Sequence, residues 1–211
     1  MDVIYTILLA LGAFLLGACP FSVILGRLFL KKDIRDFGDG NPGAANVFRA
    51  GGHKLGYLAV FMDLVKGVPF VLLAHTAAGL IGLAIVPIAI CAILGHAFSP
   101  FLQWRGGKAI AVTFGVLLAL PQHEALLAFI VLVVIGALML DNDSWGMMLG
   151  AAGTLAFLAI TEASSWKLLI MLGVSIIFSL KHFQDLRTFP GFRGRLVRWI
   201  QSVIRSATAI N

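Results

Sequence analysis

The sequence predicts an all-α integral membrane protein, a polytopic bundle of about seven transmembrane helices with its N-terminus outside the cell and its C-terminus in the cytoplasm. Three observations support this fold class. Of the 211 residues, 60% are hydrophobic and only 12% are charged, against about 25% charged residues in soluble domains. The hydrophobic residues form long runs, and the basic residues concentrate on one side of those runs.

Each apolar run is a candidate span, because a helix needs about 20 residues to cross a bilayer. Pro20 lies inside the first run and is expected to kink or break it. The runs at 109–120 and 145–161 are short. Each is predicted to form a half-depth helix, a steeply packed helix or a span that its flanking residues extend. Five or six full spans with partial ones is the alternative to seven. The runs are 3–29, 55–74, 79–101, 109–120, 123–140, 145–161 and 165–181.

The distribution of Lys and Arg predicts the orientation of the chain. With seven spans, fourteen of the sixteen Lys and Arg residues fall on one side of the membrane. That side receives the helix-end Arg27, the loops 30–54, 102–108 and 141–144, and the C-terminal tail. Because loops rich in Lys and Arg stay in the cytoplasm, we expect this side to be cytoplasmic. With an even number of spans, the Lys and Arg residues would no longer fall mainly on one side of the membrane.

Residues 1–185 are expected to form a single transmembrane domain that carries the functional site, and residues 186–211 a basic amphipathic tail in the cytoplasm. The tail spaces apolar residues along a basic segment, which predicts a helix on the inner leaflet. A frayed tail is the alternative. The net charge of +6 sits beside apolar spans, so we expect contacts with anionic membrane lipids and not with nucleic acid. We expect a monomer.

A polar, glycine-rich segment at residues 33–54 interrupts this apolar sequence. It reads DIRDFGDGNPGAANVFRAGGHK and holds five glycines. Glycines let backbone N–H groups approach a ligand closely, and successive N–H groups in a turn form a concavity that binds anions. Arg49 and Lys54 add positive charge. The segment therefore predicts a phosphate site at a membrane surface.

Three further polar groups occur within or beside the apolar runs, where ionisable residues are costly and usually functional. Asp63 and Lys66 are three residues apart, so they share a helix face and either neutralise each other or present Lys66 to an anion. His96 follows a glycine near a helix end and is either structural or functional. The segment 105–108 reads Arg-Gly-Gly-Lys before a helix; it either anchors the helix or offers an anion free N–H groups beside Lys108.

These segments together resemble the bacterial acyl-phosphate:glycerol-3-phosphate acyltransferase family of the PlsY type, of which the chain looks like a divergent member. The resemblance covers about residues 17 to 115, with a weaker similarity near 181–187. Its motifs are GACPFSVILGRLF in the first helix, the glycine-rich DIRDFGDGNPGAANVFRAGG, then DLVKGVPF and GHAFSPFLQWRGGKAIAV, and finally Lys181-His182 with Asp185.

The resemblance implies a seven-helix enzyme of the bacterial inner membrane whose site faces the cytoplasm. Such an enzyme moves a fatty acyl group from acyl phosphate to the sn-1 hydroxyl of glycerol 3-phosphate, giving lysophosphatidic acid and phosphate for phospholipid biosynthesis. It uses no cofactor and no metal. Carried over by position, the catalytic residues are Arg49, Lys108 and His96. The implied phosphate pocket contains Gly38, Gly40, Asn41, Gly43, Asn46, Lys66, Gly106, Gly107 and His182.

The chain departs from the family pattern at several positions. Asp39 stands where the family commonly has Ser, Ala45 where it has Thr, and Asp185 where it has Asn. Two of these departures add a carboxylate where a phosphate is expected to bind.

The implied reaction needs little covalent chemistry, because acyl phosphate is already an activated mixed anhydride. Positioning the two anions and stabilising the oxyanion with cations and N–H groups are the main tasks. The proton of the acceptor hydroxyl goes to His96, to His182 or to a substrate phosphate oxygen. We favour the phosphate oxygen, because no carboxylate–His pair can be read from the sequence.

The alternative function is a transporter or channel for a small anionic, phosphorylated solute, since buried cations and broken helices suit that class as well. Transporters usually contain two comparable halves, and the sequence shows none. A CDP-alcohol transferase would need several aspartates at metal-binding spacing, which the pattern does not provide.

The charge distribution gives a direct test of orientation. Green fluorescent protein fused after Asn211 is expected to fluoresce, and alkaline phosphatase fused at the same residue is expected to be inactive, because the tail stays in the cytoplasm. Fusions within the loop 75–78 are the control and are expected to give the opposite pattern. An active phosphatase after Asn211 would invert the predicted topology.

Overall fold

The structure is a computed structural model, and it describes residues 2–161 and 165–192. In these residues the regular structure is helical, apart from one antiparallel bridge between Leu140 and Phe192. The predicted tail helix lies largely outside the described residues. The α-helices are α1 (Asp2–Ala18), α2 (Phe21–Leu25), α3 (Ala44–Arg49), α4 (His53–Val65), α5 (Pro69–Thr76), α6 (Val86–Ala97), α7 (Ile110–Ala119), α8 (Glu124–Met139), α9 (Asp143–Thr161), α10 (Ser165–Lys181) and α11 (Phe183–Leu186).

Four helical segments of the described chain are long and apolar enough to cross a bilayer. They are Val3–Leu30, His53–Thr76, Gly82–Leu102 and Asp143–Thr161. The last of these corrects the expectation of a short helix at 145–161, because the helix begins two residues earlier and has 19 residues. Helix α7 has only 10 residues, about 15 Å of length, so it spans about half of a 30 Å hydrocarbon core.

The first span breaks at Pro20, as the sequence predicts. Helix α1 ends at Ala18 and α2 begins at Phe21, because proline has no N–H to continue the helical hydrogen bonds. Two carbonyl groups at the break are bonded by side chains from other helices. Ser99 Oγ donates to the carbonyl of Ala18 at 2.6 Å, and Lys66 Nζ donates to the carbonyl of Cys19 at 2.9 Å. Such bonds make a broken helix tolerable in lipid.

Helix α1 packs along α6 through small residues. A β-carbon on Gly17 would overlap the carbonyl oxygen of Ala92, and one on Gly95 would overlap that of Phe14. Small residues let helix backbones approach closely in lipid, where van der Waals packing holds helices together. Helix α10 contacts both α6 and α9, and α8 lies along α9. This packing places His96, the neighbour of Gly95, beside the end of α1.

A second, smaller core anchors the polar glycine-rich segment to the membrane helices. Ile34 and Val47 are fully buried, and they pack with Val23 and Ala59. Burying two large aliphatic side chains stabilises the segment by about 1.5–3 kcal/mol each. The segment is therefore a folded part of the protein that is held over one end of α2 and α4.

Candidate active site

A turn at residues 37–41 holds the carboxylate of Asp39 over a buried amide. Gly38 and Gly40 on either side of Asp39 have φ of +58° and +71°, a conformation that glycine adopts without strain. The side chain of Asn46, which is fully buried, donates to Asp39 Oδ1 at 3.1 Å and to the carbonyl of Asn41 at 2.9 Å. Asn46 thereby fixes the turn.

Arg49 completes this turn, one helical turn beyond Asn46 in α3. Its Nη1 donates to Asn46 Oδ1 at 2.7 Å and lies 3.6 Å from Asp39 Oδ1. The Asn46 amide therefore accepts from a cation with its oxygen and donates to an anion with its nitrogen. The side chain of Arg49 is half exposed, which leaves part of the guanidinium available to a ligand.

Lys108 joins this turn to the end of the last long helix. Its Nζ lies 3.0 Å from Asp39 Oδ2 and 2.9 Å from Asp185 Oδ2. The ammonium group is thus shared by two carboxylates that are far apart in the chain. Lys108 is mostly buried, with 28% of its side chain exposed.

Electrostatics keep this triad ionised. Burial raises the pKa of the Asp39 carboxyl, but hydrogen bonds from Lys108 and from the backbone of Asn41 outweigh it, and the pKa lies below its ordinary value. Hydrogen bonds from Ser144 and Lys108 likewise lower the pKa of Asp185. Burial lowers the pKa of Lys108, yet the two carboxylates raise it above its usual range. All three groups are charged at neutral pH.

His182 is oriented by a chain of hydrogen bonds to Asp185. Ser144 Oγ donates to Asp185 Oδ2 at 2.7 Å, because a carboxylate only accepts. His182 Nδ1, 2.8 Å from the same hydroxyl oxygen, must therefore carry the proton and donate to it. The neutral ring is left with an unprotonated Nε2, which is buried and has no hydrogen-bond partner among the described residues.

Asp63, Lys66 and His96 form a buried polar cluster below the turn. Lys66 Nζ lies 2.8 Å from Asp63 Oδ1, and His96 Nδ1 lies 3.8 Å from the same oxygen. Ser22 Oγ donates to Asp63 Oδ2 at 3.0 Å. The carboxylate is thereby the centre of the cluster, and it neutralises Lys66.

A cavity of about 380 Å³ connects these groups. One part of its wall is polar and charged, with Asp39, Asn41, Arg49, Lys108, Ser144 and His182. Another part is apolar, with Val60, Leu64, Ile110, Phe114 and Met147. A second cavity of about 360 Å³ shares Asp39, Asn41 and Lys108 with the first and also contacts Gly40, Gly106 and Lys181. The site can hold an anionic group next to a hydrocarbon group.

The structure brings most of the predicted site residues to these two cavities. Asn41, Gly43, Arg49, His96, Lys108 and His182 line the first, and Gly40 and Gly106 the second. Asn46 and Gly38 lie behind the wall and shape the turn, since a β-carbon on Gly38 would crowd Asn46 and Arg49. Lys66 is outside the lining of both cavities and contacts Asp63, so its phosphate contact stays a prediction.

The double glycine has a packing role in the structure. The amide of Gly107 donates to the carbonyl of His96 at 3.0 Å, so of the two N–H groups expected to bind an anion, that of Gly107 is bonded within the protein. A β-carbon on Gly106 would overlap the same carbonyl oxygen. The glycines therefore let the 105–108 segment pack against the end of α6, which brings Lys108 to the cavity.

Sequence reasoning missed two further features of the site. Ser144 was not identified, because a serine at the start of a helix gives no sign that it bonds a carboxylate 41 residues away. The premise that no carboxylate–His pair exists is also wrong, since His96 faces Asp63 and His182 reaches Asp185 through Ser144. The i, i+3 spacing of His182 and Asp185 was the available signal.

The fold and the cavity define an integral membrane protein whose site combines anion-binding side chains with an apolar wall. The family described as glycerol-3-phosphate acyltransferase matches residues 7–189. The chain therefore belongs to the glycerol-3-phosphate acyltransferase family, and it is a membrane enzyme. The relatives found are named as acyltransferases, which gives no support to the alternative of an anion transporter.

Individual relatives agree with this assignment. A glycerol-3-phosphate acyltransferase of Pseudomonas putida KT2440 is 39% identical over 193 residues, which cover 89% of this chain and 96% of the relative. Glycerol-3-phosphate acyltransferase 2 of Bacillus anthracis is 36% identical over 196 residues, with 90% and 99% covered.

Two solved structures also match the fold. The crystal structure of PlsY (YgiH), an integral membrane glycerol 3-phosphate acyltransferase, in its glycerol 3-phosphate form has a TM-score of 0.77 and 27% identity, covering 86% of this chain and 90% of that one. The lysophosphatidic acid form of the same protein gives a TM-score of 0.74 with the same coverage.

The burial of His182 predicts how stability depends on pH. Burial, together with the positive charge of Lys108, lowers the pKa of this imidazole from 6.5 to about 4. The folded protein therefore favours the neutral ring, and its stability should fall as the pH drops from 6.5 towards 4, by up to about 1.4 kcal/mol per pH unit. Asp39 and Asp185 titrate below this window.

Thermal unfolding in detergent between pH 7.5 and 4.5 measures the effect. His182→Asn keeps a donor for Ser144 but does not titrate, so its melting temperature should depend less steeply on pH than that of the wild type. His53→Asn, at an exposed histidine at the start of α4, is the matched control and should keep the wild-type slope. Equal slopes for His182→Asn and wild type would contradict the burial argument.

Proposed function

We propose that the protein transfers a fatty acyl group from acyl phosphate to the sn-1 hydroxyl of glycerol 3-phosphate, releasing lysophosphatidic acid and phosphate. The observation that carries this proposal is the divided wall of the cavity. Arg49 and Lys108 suit phosphate, and the apolar wall suits an acyl chain. The acceptor follows from the similar protein PlsY, which was solved in glycerol 3-phosphate and lysophosphatidic acid forms.

The groups that line the cavity favour acyl phosphate, an activated acyl donor, over a mechanism that uses an enzyme nucleophile. Ser144 is the one hydroxyl in the described lining, and it already donates to Asp185 and accepts from His182. A serine held in this way is a poor nucleophile, because its proton goes to a carboxylate that is also bonded to a lysine. Direct attack of the acceptor hydroxyl on an acyl phosphate needs no enzyme nucleophile, since phosphate is a good leaving group.

The chain's own residues then do three things in the reaction. The polar wall holds two phosphate groups near each other, and positioning of this kind supplies about 7–11 kcal/mol of the barrier reduction. Arg49 and Lys108 stabilise the oxyanion at the acyl carbonyl and the departing phosphate. The apolar wall excludes water, which limits hydrolysis of the donor.

The acceptor hydroxyl loses its proton by one of two routes. A phosphate oxygen of a bound substrate can take it, which needs no protein base. His182 and His96 both line the cavity, and each is a candidate protein base. Asp63 Oδ1 lies 3.8 Å from His96 Nδ1, where a carboxylate orients the ring and stabilises its protonated form.

We also propose that the enzyme has seven transmembrane helices, an outside N-terminus and a cytoplasmic site, and that it works as a monomer in the inner membrane. The 31–52 segment, the 103–109 loop and residues 182–192 meet at one end of the bundle, through Asp39, Lys108 and Asp185. These segments hold seven of the twelve Lys and Arg residues that the structure describes, which supports a cytoplasmic location.

Release of phosphate from palmitoyl phosphate by the purified protein tests the reaction. We expect release that depends on glycerol 3-phosphate and one lysophosphatidic acid formed per phosphate. Lys108→Ala is expected to lower kcat/KM by about 100- to 1,000-fold, as removal of an oxyanion-stabilising donor does.

Lys54→Ala removes the same charge from an exposed position at the same end of the bundle, and its activity should stay close to that of the wild type. Folding of each variant is checked by thermal unfolding. Phosphate release without glycerol 3-phosphate, or a folded Lys108→Ala variant with near-normal activity, would refute the proposal. Reconstituted vesicles that take up glycerol 3-phosphate without forming product would instead establish transport.

A further inference from the structure

The carboxylate of Asp39 is surrounded by donors that suit a phosphate group. Its Oδ1 accepts from the backbone amide of Asn41 at 3.2 Å and from Asn46 Nδ2 at 3.1 Å. Lys108 Nζ lies 3.0 Å from its Oδ2, and Arg49 Nη1 lies 3.6 Å from its Oδ1. A backbone N–H, a side-chain amide, an ammonium and a guanidinium are the groups that proteins use to bind phosphate.

Asp39 also lies where the two cavities meet. Asp39, Asn41 and Lys108 line both of them, so an anion that enters either cavity and reaches Lys108 comes next to this carboxylate. The side chain is 41% exposed. Its flanking residues are the left-handed Gly38 and Gly40, and glycines of this kind allow the backbone of a turn to change direction at low cost.

The charges around Lys108 oppose a simple addition of phosphate. The ammonium group already bonds two carboxylates, Asp39 and Asp185. A phosphate oxygen within hydrogen-bond distance of Nζ would be a third anion in contact with the same cation, and like charges this close repel strongly in a partly buried site. Phosphate therefore binds to Lys108 more favourably when one carboxylate gives up its place.

Asp39 is the carboxylate better suited to leave. Asp185 accepts from Ser144 Oγ at 2.7 Å, and its own carbonyl accepts from Asn142 Nδ2 at 2.9 Å, so the first turn of α9 and the residue before it hold Asp185 in place. The donors around Asp39 can bind a phosphate once its carboxylate has moved, whereas loss of Asp185 would leave the Ser144 hydroxyl without its acceptor.

We propose that the Asp39 carboxylate uses the donors that bind a substrate phosphate, and that substrate binds by displacing it from Lys108 and Arg49. The inference rests on the proposed function and adds a residue that limits affinity. The displaced position suits the phosphate of glycerol 3-phosphate and that of acyl phosphate equally. Asp39 thereby keeps the two cations paired and the turn folded while the site is empty.

Asp39→Asn is the sharpest test, because it removes the charge and keeps an oxygen that accepts from Asn41 and Asn46. The KM for glycerol 3-phosphate, the KM for palmitoyl phosphate and the inhibition constant of inorganic phosphate are measured for each protein. We expect one KM to fall by about tenfold, equivalent to about 1.4 kcal/mol, with inorganic phosphate inhibiting more tightly by a similar factor. The substrate whose KM falls identifies the phosphate that occupies the position.

Asp36→Asn is the matched control, since Asp36 is an exposed carboxylate of the same segment that lines neither cavity. It should leave all three constants within twofold of wild type. Unchanged or raised KM values in Asp39→Asn would overturn the proposal, because they would mean that Asp39 positions the cations or binds a substrate hydroxyl. An equal fall in KM for Asp36→Asn would also overturn the proposal, because it would indicate a general effect of removing a negative charge.

Binding of inorganic phosphate separates this proposal from the proposed function. Stabilisation of the detergent-solubilised protein against heat by phosphate needs no turnover, and it should be stronger in Asp39→Asn than in wild type. Stronger binding in a protein without acyl transfer would support displacement and refute the acyltransferase reaction. Asp39→Ser, a smaller neutral residue, repeats the measurement if Asp39→Asn does not fold, and equal stabilisation of variant and wild type would refute displacement.

Discussion

The ammonium group of Lys108 is where segments from three parts of the chain meet. It is bonded to Asp39 of the glycine-rich turn and to Asp185 beyond the last long helix. A partly buried cation needs such partners, because burial without them disfavours the charged form. The pairing therefore fixes both segments over the end of the bundle. In the function that we propose, the same cation binds a substrate phosphate.

The polar groups beneath Asp39, Lys108 and Asp185 form hydrogen bonds that the lipid cannot provide. Breaking the first span at Pro20 leaves carbonyl groups that lipid cannot satisfy, and Lys66 and Ser99 bond two of them. Lys66 in turn needs Asp63, and Asp63 faces His96. Structure and site are thereby connected: the helix break, the buried ion pair and the histidine in the cavity wall form one network. Asp185 orients His182 by the same kind of connection through Ser144.

Much of this architecture follows from the sequence alone. Apolar runs establish the membrane class, Pro20 marks the break, and the spacing of Asp63 and Lys66 predicts their pairing. The sequence cannot show that Lys108 bonds a carboxylate 77 residues away or that Ser144 bonds one 41 residues away, because such contacts depend on how helices pack. The double glycine shows the same limit. Glycine suits both close anion approach and close backbone packing, and the sequence does not show that the Gly107 amide bonds the carbonyl of His96.

In the reaction that we propose, phosphate groups bind between Arg49 and Lys108 beside an apolar wall. An experimental structure with glycerol 3-phosphate and a non-hydrolysable acyl phosphonate bound would locate them. We expect phosphate oxygens within hydrogen-bond distance of Lys108 Nζ and Arg49, with the acyl chain along Phe114 and Met147. A structure in which both ligands lie elsewhere, while Lys108 keeps its bonds to Asp39 and Asp185, would contradict it.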